Sequence, residues 1–317
     1  MKIGFVADAL SHFDTETETT SAMMFAAQQR GWEVYHMHIH DLSVVKAKPY
    51  ATLRQMRNIQ LIDDPAWYEL EAPKQIPLSK LDIVMMRKDP PFDMDFIYAT
   101  YILELAEREG VLVVNKPQSL RDCNEKMFIN WFPHCITDTL ISCNAQQIKA
   151  FVAEYHDVIF KPLDGKGGAS IFRIRQNDAN INVTIELMTN FGQRQIMVQR
   201  YLPEIKDGDK RILMINGEAV PYALARFAKS GETRANISAG GSVNGMSLNE
   251  REHWLCQQVG PTLREKGLLF VGLDVIGGFI TEINVTSPTC VRQLDAQFGL
   301  NISAQLCEVM LKVCQKV

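Results

Sequence analysis

Apolar residues along this chain fall into two kinds of pattern: short continuous runs, and longer stretches with helical spacing. In the first 120 residues the runs at 3–7, 34–39, 82–86 and 111–114 read as buried strands. The stretches at 21–30 and 96–109 read as helices, each closed by a glycine, Gly31 or Gly110. This βαβ rhythm predicts an open parallel sheet. The proline-punctuated stretch 49–80 has no assignable period. Near 120 the pattern changes. Pro117 ends a strand, and Asp122 with Glu125 reads as a capping box opening a helix that carries Lys126. A strand (158–163), a glycine-rich loop (164–170, DGKGGAS) and a second strand (171–175) follow. A further strand, 196–204, runs into Pro203. The runs 212–215 and 219–225 flank Asn216-Gly217 as a hairpin, and 250–266 and 302–313 read as helices. The glycine-rich stretch 229–245, with few large apolar residues, reads as a mobile flap.

The most informative stretch is 267–289, GLLFVGLDVIGGFITEINVTSPT, two apolar strands turning at Gly277-Gly278. Asp274 interrupts the first strand; Glu282 and Asn284 interrupt the second. Glu282 and Asn284 are two apart and share a face. A two-residue loop places Asp274 opposite Thr281, with Glu282 on the other face. A three-residue loop that adds Phe279 places Asp274 opposite Glu282 and gathers all three. Two carboxylates and an amide oxygen suit Mg²⁺; taken alone, the same pattern is an edge hairpin with a wet face. Lys161 lies inside an apolar strand, where its ammonium is costly unless it meets an anion. The loop after it supplies the glycines that let backbone N–H groups cradle phosphate, without Walker A spacing. MRKDPPFD (86–93) follows a buried strand, where open sheets place ligand loops, and Arg87 is a fork for a carboxylate or phosphate. His36, His38 and His40 share a strand face. No further Cys or His completes a zinc site, so they read as a wet face.

Composition narrows the classes. The 317 residues imply two or three domains. A net charge of −4 and the lack of a basic stripe argue against nucleic acid as a partner. No apolar run is long enough to span a membrane, and MKIGFVADAL reads as a first strand rather than a signal peptide. The seven scattered cysteines read as reduced thiols of a cytoplasmic protein.

Taken in order, Lys126, Lys161 with its loop, the linker QRYLPE and the D…E-x-N hairpin resemble the ATP-grasp fold. The match is closer to bacterial glutathione synthetases, through MRKDPPFD (86–93), NKPQSLRDCNEK (115–126), KPLDGKGGASIFR (161–173), YLPEIKDGDKR (201–211), GETR-N (231–236) and FVGLDVIG…TEINVTSPT (270–289). The resemblance implies an α/β fold: an N-terminal open parallel-sheet (pre-ATP-grasp) domain, 1–120, then a two-lobed α+β ATP-grasp fold. ATP would lie between its central lobe, 121–200, and its C-terminal lobe, 201–317. The implied activity is ATP-dependent ligation of γ-glutamylcysteine to glycine through an acyl phosphate, giving glutathione, ADP and phosphate.

The resemblance also implies the site. Lys126 and Lys161 would hold the ATP phosphates, covered by Gly165, Gly167 and Gly168. Gln199, Tyr201 and Leu202 would meet the adenine, and Asp209 the ribose. Asp274, Glu282 and Asn284 would hold Mg²⁺ or Mn²⁺. Arg211 and Arg226 would stabilise the transferring phosphoryl group. Arg87 with Ser287, Pro288 and Thr289 would hold the peptide's carboxylates, while Arg234 and Asn236 would close over the intermediate. A homotetramer in the cytoplasm is the family expectation. A ligase for another carboxylate and amine, and a binding module without turnover, are the two other readings. MRKDPPFD and NVTSPT discriminate the first; a missing metal ligand or phosphate lysine would mark the second, and none is missing.

Overall fold

The computed structural model describes residues 1–14, 16–64, 66–165, 167–229 and 241–315. The chain opens with β1 (Lys2–Val6), α1 (Thr19–Gln29) and β2 (Glu33–Met37). Next come β3 (Leu42–Val45), β4 (Lys48–Arg57), β5 (Glu69–Leu70) and β6 (Lys74–Pro77), then β7 (Ile83–Met86), α2 (Met94–Arg108) and β8 (Leu112–Val114). Strands β2, β1, β7 and β8 pair in parallel in that order, as the βαβ rhythm predicts. The stretch without a legible period is an antiparallel extension of the same sheet, in which β4 pairs with β2 and carries β3, β5 and β6. Its inward residues on β4 are Pro49, Ala51, Leu53 and Met56. Two of these are too small or too turn-like to register as a hydrophobic period.

The histidines do not form a wet face. Only His36 lies in β2, where it is buried with its Nε2 3.1 Å from the Asp8 carbonyl. His38 and His40 have left the strand for a 3₁₀ turn. Burial pushes His36 down to about 4, so it is neutral.

After α3 (Pro117–Asp122) the expected helix through Lys126 does not form. The capping oxygen belongs to Asn124, which accepts from the Lys126 and Met127 amides in a turn. Glu125 points away from that turn and accepts from the Val285 and Thr286 amides instead.

The second sheet is antiparallel, in the order β11-β10-β12-β9, built from β9 (Thr139–Ser142), α4 (Ala145–Tyr155), β10 (Asp157–Pro162), β11 (Phe172–Arg175), α5 (Ile181–Met188) and β12 (Ile196–Arg200). On β10, Val158, Phe160 and Pro162 are buried, and the alternate Ile159 and Lys161 look the other way. The third sheet has the order β15-β14-β13-β16-β17, from β13 (Asp209–Ile215), β14 (Glu218–Phe227), β15 (Ser242–Ser247), β16 (Phe270–Ile276) and β17 (Phe279–Asn284). Helix α6 (Glu250–Glu265) precedes β16, and α7 (Val291–Phe298) and α8 (Ile302–Cys314) follow β17. Residues 242–245, read as part of a flap, pair with β14 along the sheet edge. Arg234 and Asn236 lie outside the described residues.

The first and third sheets share their cores. One core runs from Met37, Val84 and Leu103 through Phe128 to Ile212, Leu255 and Ile283. Another joins Met23 and Met24 on α1 to Leu294, Ile302 and Leu306. The second sheet has its own small core of Ile148, Val152, Phe160, Ile185 and Val198. Asn115 clamps the first junction. Its Nδ2 donates to the Phe270 and Val285 carbonyls (2.8 and 2.7 Å), and its Oδ1 accepts from the Phe270 amide (2.9 Å).

Candidate active site

The hairpin settles how its three polar residues meet. Ile276 pairs with Phe279, so the loop is the two-residue Gly277-Gly278. Val275 then pairs with Ile280, but Asp274 pairs with Glu282 and Gly272 with Asn284. Thr281 is the extra residue of a β-bulge, which moves Glu282 and Asn284 onto the Asp274 face. Neither loop length weighed from sequence contained this bulge. The outcome of the longer loop is reached by the shorter loop plus one unpaired residue.

These residues floor a cleft of about 1020 Å³ between the second and third sheets. Asp274 is buried and chelated by Arg211, with Nε at 2.5 Å and Nη2 at 3.1 Å; Arg226 Nη2 lies 2.9 Å away. Arg226 also donates to Asp209 (2.6 Å). The sheet register dictates the network: Arg211 sits opposite Asp274 on β16, and Asp209 opposite Arg226 on β14. A side chain at 272 would collide with Arg211, since a Cβ there would sit 2.9 Å from its Cδ; Gly272 leaves the room. Burial alone would raise the Asp274 carboxyl, but Arg211 and Arg226 outweigh it and hold it well below the usual carboxylate range. Asp209, with weaker help, is pushed by burial up to about 6.

Facing this floor are the two lysines. Lys126 Nζ donates to Glu282 Oε1 and to the Gly165 carbonyl, both at 2.8 Å. Lys161 Nζ donates to Gln199 Oε1 (2.7 Å). Burial, and secondarily Lys126, lower the Lys161 pKa, whereas Lys126 is raised because Glu282 more than offsets its burial. Gly167 and Gly168 both take positive φ, which lets the loop over Lys161 turn its backbone toward the cleft. Tyr201 and Leu202 give the cleft an apolar stretch of wall, with the Arg173 guanidinium 3.5 Å from the Tyr201 ring centroid. Thr286, Ser287, Thr289, Asp89 and Pro90 also line it.

The structure therefore brings Lys126, Lys161, Gly165, Gly167, Gly168, Gln199, Tyr201, Leu202, Asp209, Arg211, Arg226, Asp274, Glu282, Asn284, Ser287 and Thr289 to one cleft. Asp209 meets Arg226 there. Arg87 and Pro288 do not line the cleft. Arg87 is only 3% exposed and donates to Thr20 Oγ1 (3.2 Å) and the Pro288 carbonyl (3.1 Å), so it braces the Ser287–Thr289 turn from behind. Burial lowers its pKa.

Glu125 was missed as a site residue. Its Oε1 accepts from the Val285 and Thr286 amides and the Thr286 hydroxyl, at 2.9 to 3.0 Å, which fixes the same turn. No local pattern identifies it, because its partners are 160 residues away.

The donor set of Asp274, Glu282 and Asn284 is all oxygen and suits a hard divalent cation. Asn284 donates Nδ2 to the Gly272 carbonyl (3.2 Å), leaving Oδ1 as its acceptor. Four cationic side chains and a glycine loop around it suit a polyphosphate.

The family model for the N-terminal domain of prokaryotic glutathione synthetase matches residues 1–121, and that for its ATP-grasp domain matches 125–299. Glutathione synthetase of Pseudomonas putida is 54% identical over 311 residues, covering 98% of this chain and 97% of the relative. That of Vibrio parahaemolyticus is 51% identical, covering 98% of both. Among solved structures, D-cycloserine synthetase DcsG superposes with a TM-score of 0.69 at 12% identity, over 98% of this chain and all of the other. The ATP-grasp ligase PsnB, solved with a minimal precursor, Mg and ADP, gives 0.62 at 15% identity over 99% of this chain and 98% of the other. At such identities the structures speak to the fold alone, which is ATP-grasp. With family models spanning nearly the whole chain and relatives above 50% identity, the chain belongs to the prokaryotic glutathione synthetases, a family of ATP-dependent ligases.

Proposed function

We propose that this chain joins the cysteinyl carboxylate of γ-glutamylcysteine to the amine of glycine, converting ATP to ADP and phosphate. The observation that carries the substrate assignment is the 54% identity to Pseudomonas putida glutathione synthetase over 98% of the chain. A carboxylate is a poor acyl donor, so its oxygen attacks the γ-phosphorus and ADP leaves. The glycine amine then attacks the acyl phosphate carbonyl and expels phosphate. The protein's work is to position the reactants and neutralise charge.

Lys126 and Lys161 grip the phosphates beneath the loop of Gly165, Gly167 and Gly168. Tyr201 and Leu202 flank the adenine, with Gln199 orienting Lys161. Arg211 and Arg226 stabilise the transferring phosphoryl group, held in place by Asp274 and Asp209. Asp274, Glu282 and Asn284 would hold Mg²⁺ or Mn²⁺, whose chemistry is to neutralise the phosphate oxygens. Ser287 and Thr289 meet the peptide, on a turn fixed by Arg87 and Glu125. By resemblance alone, Arg234 and Asn236 cover the intermediate against water. The lobes are proposed as 1–120, 121–200 and 201–317, in a cytoplasmic homotetramer.

The test is phosphate release with ATP, Mg²⁺ and γ-glutamylcysteine, with and without glycine, alongside mass detection of the product. Glycine-dependent release matched one-to-one by glutathione is expected. Turnover on some other carboxylate and amine pair alone would discard the substrate and keep the ligase.

A further inference from the structure

Asp89 and Pro90 line the cleft together with Ser287 and Thr289, and Asp8 and Lys88 stand beside them without lining it themselves. On the ligase reading, a peptide whose carboxylate is activated among the lysines and carboxylates extends its far end toward Asp89 and Pro90.

Asp8 and Lys88 follow the carboxyl ends of β1 and β7, adjacent parallel strands, which is where open α/β sheets gather ligands. Two opposite charges stand there. Lys88 Nζ lies 2.9 Å from Asp8 Oδ1, with side chains 20% and 38% exposed, so both are reachable from solvent. Both are also held in place. Asp8 Oδ2 accepts from the Asp89 amide (3.2 Å), and the buried His36 ring meets the Asp8 carbonyl. Lys88 Nζ donates to the Asp89 carbonyl (2.8 Å). Ser287 Oγ donates to the Arg87 carbonyl (3.3 Å), which ties this loop to the cleft's substrate turn. The pair is not needed to join the strands, since the parallel register already does so, and a half-exposed ion pair adds little to folding. Arg87 itself is buried behind the turn, where it donates to the Pro288 carbonyl.

We propose that Asp8 and Lys88 recognise the α-amino-acid end of the peptide substrate. The Lys88 ammonium takes the α-carboxylate and the Asp8 carboxylate takes the α-ammonium. A γ-glutamyl group carries both charges on one carbon, so it exchanges one protein ion pair for two to the ligand. A linked pair of opposite charges is what this site selects; a lone anion gains Lys88 only by stranding Asp8. The proposal rests on the ligase reading and makes these two residues determinants of specificity.

The test uses three acceptors of phosphate: γ-glutamylcysteine, 4-aminobutanoyl-cysteine, which lacks the α-carboxylate, and glutaryl-cysteine, which lacks the α-ammonium. Lys88→Met should raise the KM for γ-glutamylcysteine at least tenfold, leave that for 4-aminobutanoyl-cysteine unchanged, and leave the KM for ATP unchanged. Asp8→Asn should raise the KM for γ-glutamylcysteine in the same way and leave that for glutaryl-cysteine unchanged. Lys88→Arg keeps the charge and should retain most of the discrimination, so a folding defect in Lys88→Met does not end the test. Equal KM increases on all three acceptors, or none on any, would overturn the proposal. A wild-type enzyme inactive on γ-glutamylcysteine would instead overturn the ligase reading on which it rests.

Discussion

Replacing Glu282 by glutamine separates the site's chemistry from its folding. The change is isosteric and removes one negative charge opposite Asp274. In the folded protein that charge faces Lys126 Nζ at 2.8 Å, with side-chain exposures of 22% and 6%. Coulomb attraction at this distance is about 6 kcal/mol at an effective dielectric constant of about 20. Desolvation of the pair cancels much of it, and glutamine still offers Lys126 an acceptor. Lys126 also keeps the Gly165 carbonyl. The stability loss should therefore stay below the roughly 3–5 kcal/mol of a broken buried pair, at about 1–3 kcal/mol, and leave the protein folded. The catalytic loss should be larger. If the carboxylate shares in neutralising the transferring phosphoryl group through a metal, its removal forfeits about 3–4 kcal/mol of transition-state stabilisation, or about 10²–10³-fold in kcat/KM. Steady-state phosphate release across a Mg²⁺ titration, with thermal melts of the same samples, reads both quantities. A variant with kcat/KM within threefold of wild type and the same Mg²⁺ dependence would refute the metal assignment.

Two other outcomes test the scaffold. Asn115→Ala deletes three buried hydrogen bonds and strands the Phe270 amide and two carbonyls at the junction of β8 with β16 and β17, so urea unfolding should show a loss of about 3–4 kcal/mol; a loss under about 1 kcal/mol would mean the clamp is dispensable. Asp209 has a carboxyl raised from 3.8 to about 6, so the folded state holds this proton more tightly than the unfolded chain, and this group's contribution to stability falls as pH rises from about 4 to about 6, then stays level. Asp209→Asn removes that contribution, so its stability relative to wild type should rise across this window in urea melts, whereas a constant difference from pH 4 to 7 would contradict the shift.

Much of this was legible because the deciding forces are local. Apolar runs with glycine stops gave the βαβ core, and the strand, glycine loop and strand that carry Lys161 fold as they read. What was illegible depended on partners distant in sequence. A bulge at Thr281 has no composition of its own; it is fixed by the need to bury Ile280 and Ile283 on one face while Glu282 meets Asp274 on the other. The capping pattern Asp122…Glu125 was valid in form, but Glu125 is claimed by amides at 285 and 286. Arg87 looked like a ligand fork because sequence shows its chemistry and not its burial. The antiparallel extension through 49–80 hid behind short strands and small inward residues.

The arrangement of cores bears on how such a site can work. Arg211, Arg226, Asp209 and Asp274 all belong to one sheet, fixed by its register, so their geometry is independent of the neighbouring lobe. Lys126 belongs with them, because the Glu125 carbonyl beside it accepts from the Ile283 amide of β17. Lys161, Gln199 and the glycine loop sit on the second sheet, whose small core is separate from the two larger ones and which reaches the largest through Met197. Among the described residues the two sets meet through groups such as Lys126 Nζ on the Gly165 carbonyl and Asn124 Nδ2 on the Leu163 carbonyl. On the proposed reading, a rigid floor that holds the developing charge is thereby joined, by Met197 and its apolar neighbours Ile141 and Leu163 and by a few polar contacts, to a lobe with a small core of its own that carries the cover. Preorganised electrostatics requires the floor to be stiff, and nucleotide entry requires the cover to be separable. Placing them on different cores satisfies both requirements, which a single core spanning all three sheets could not do.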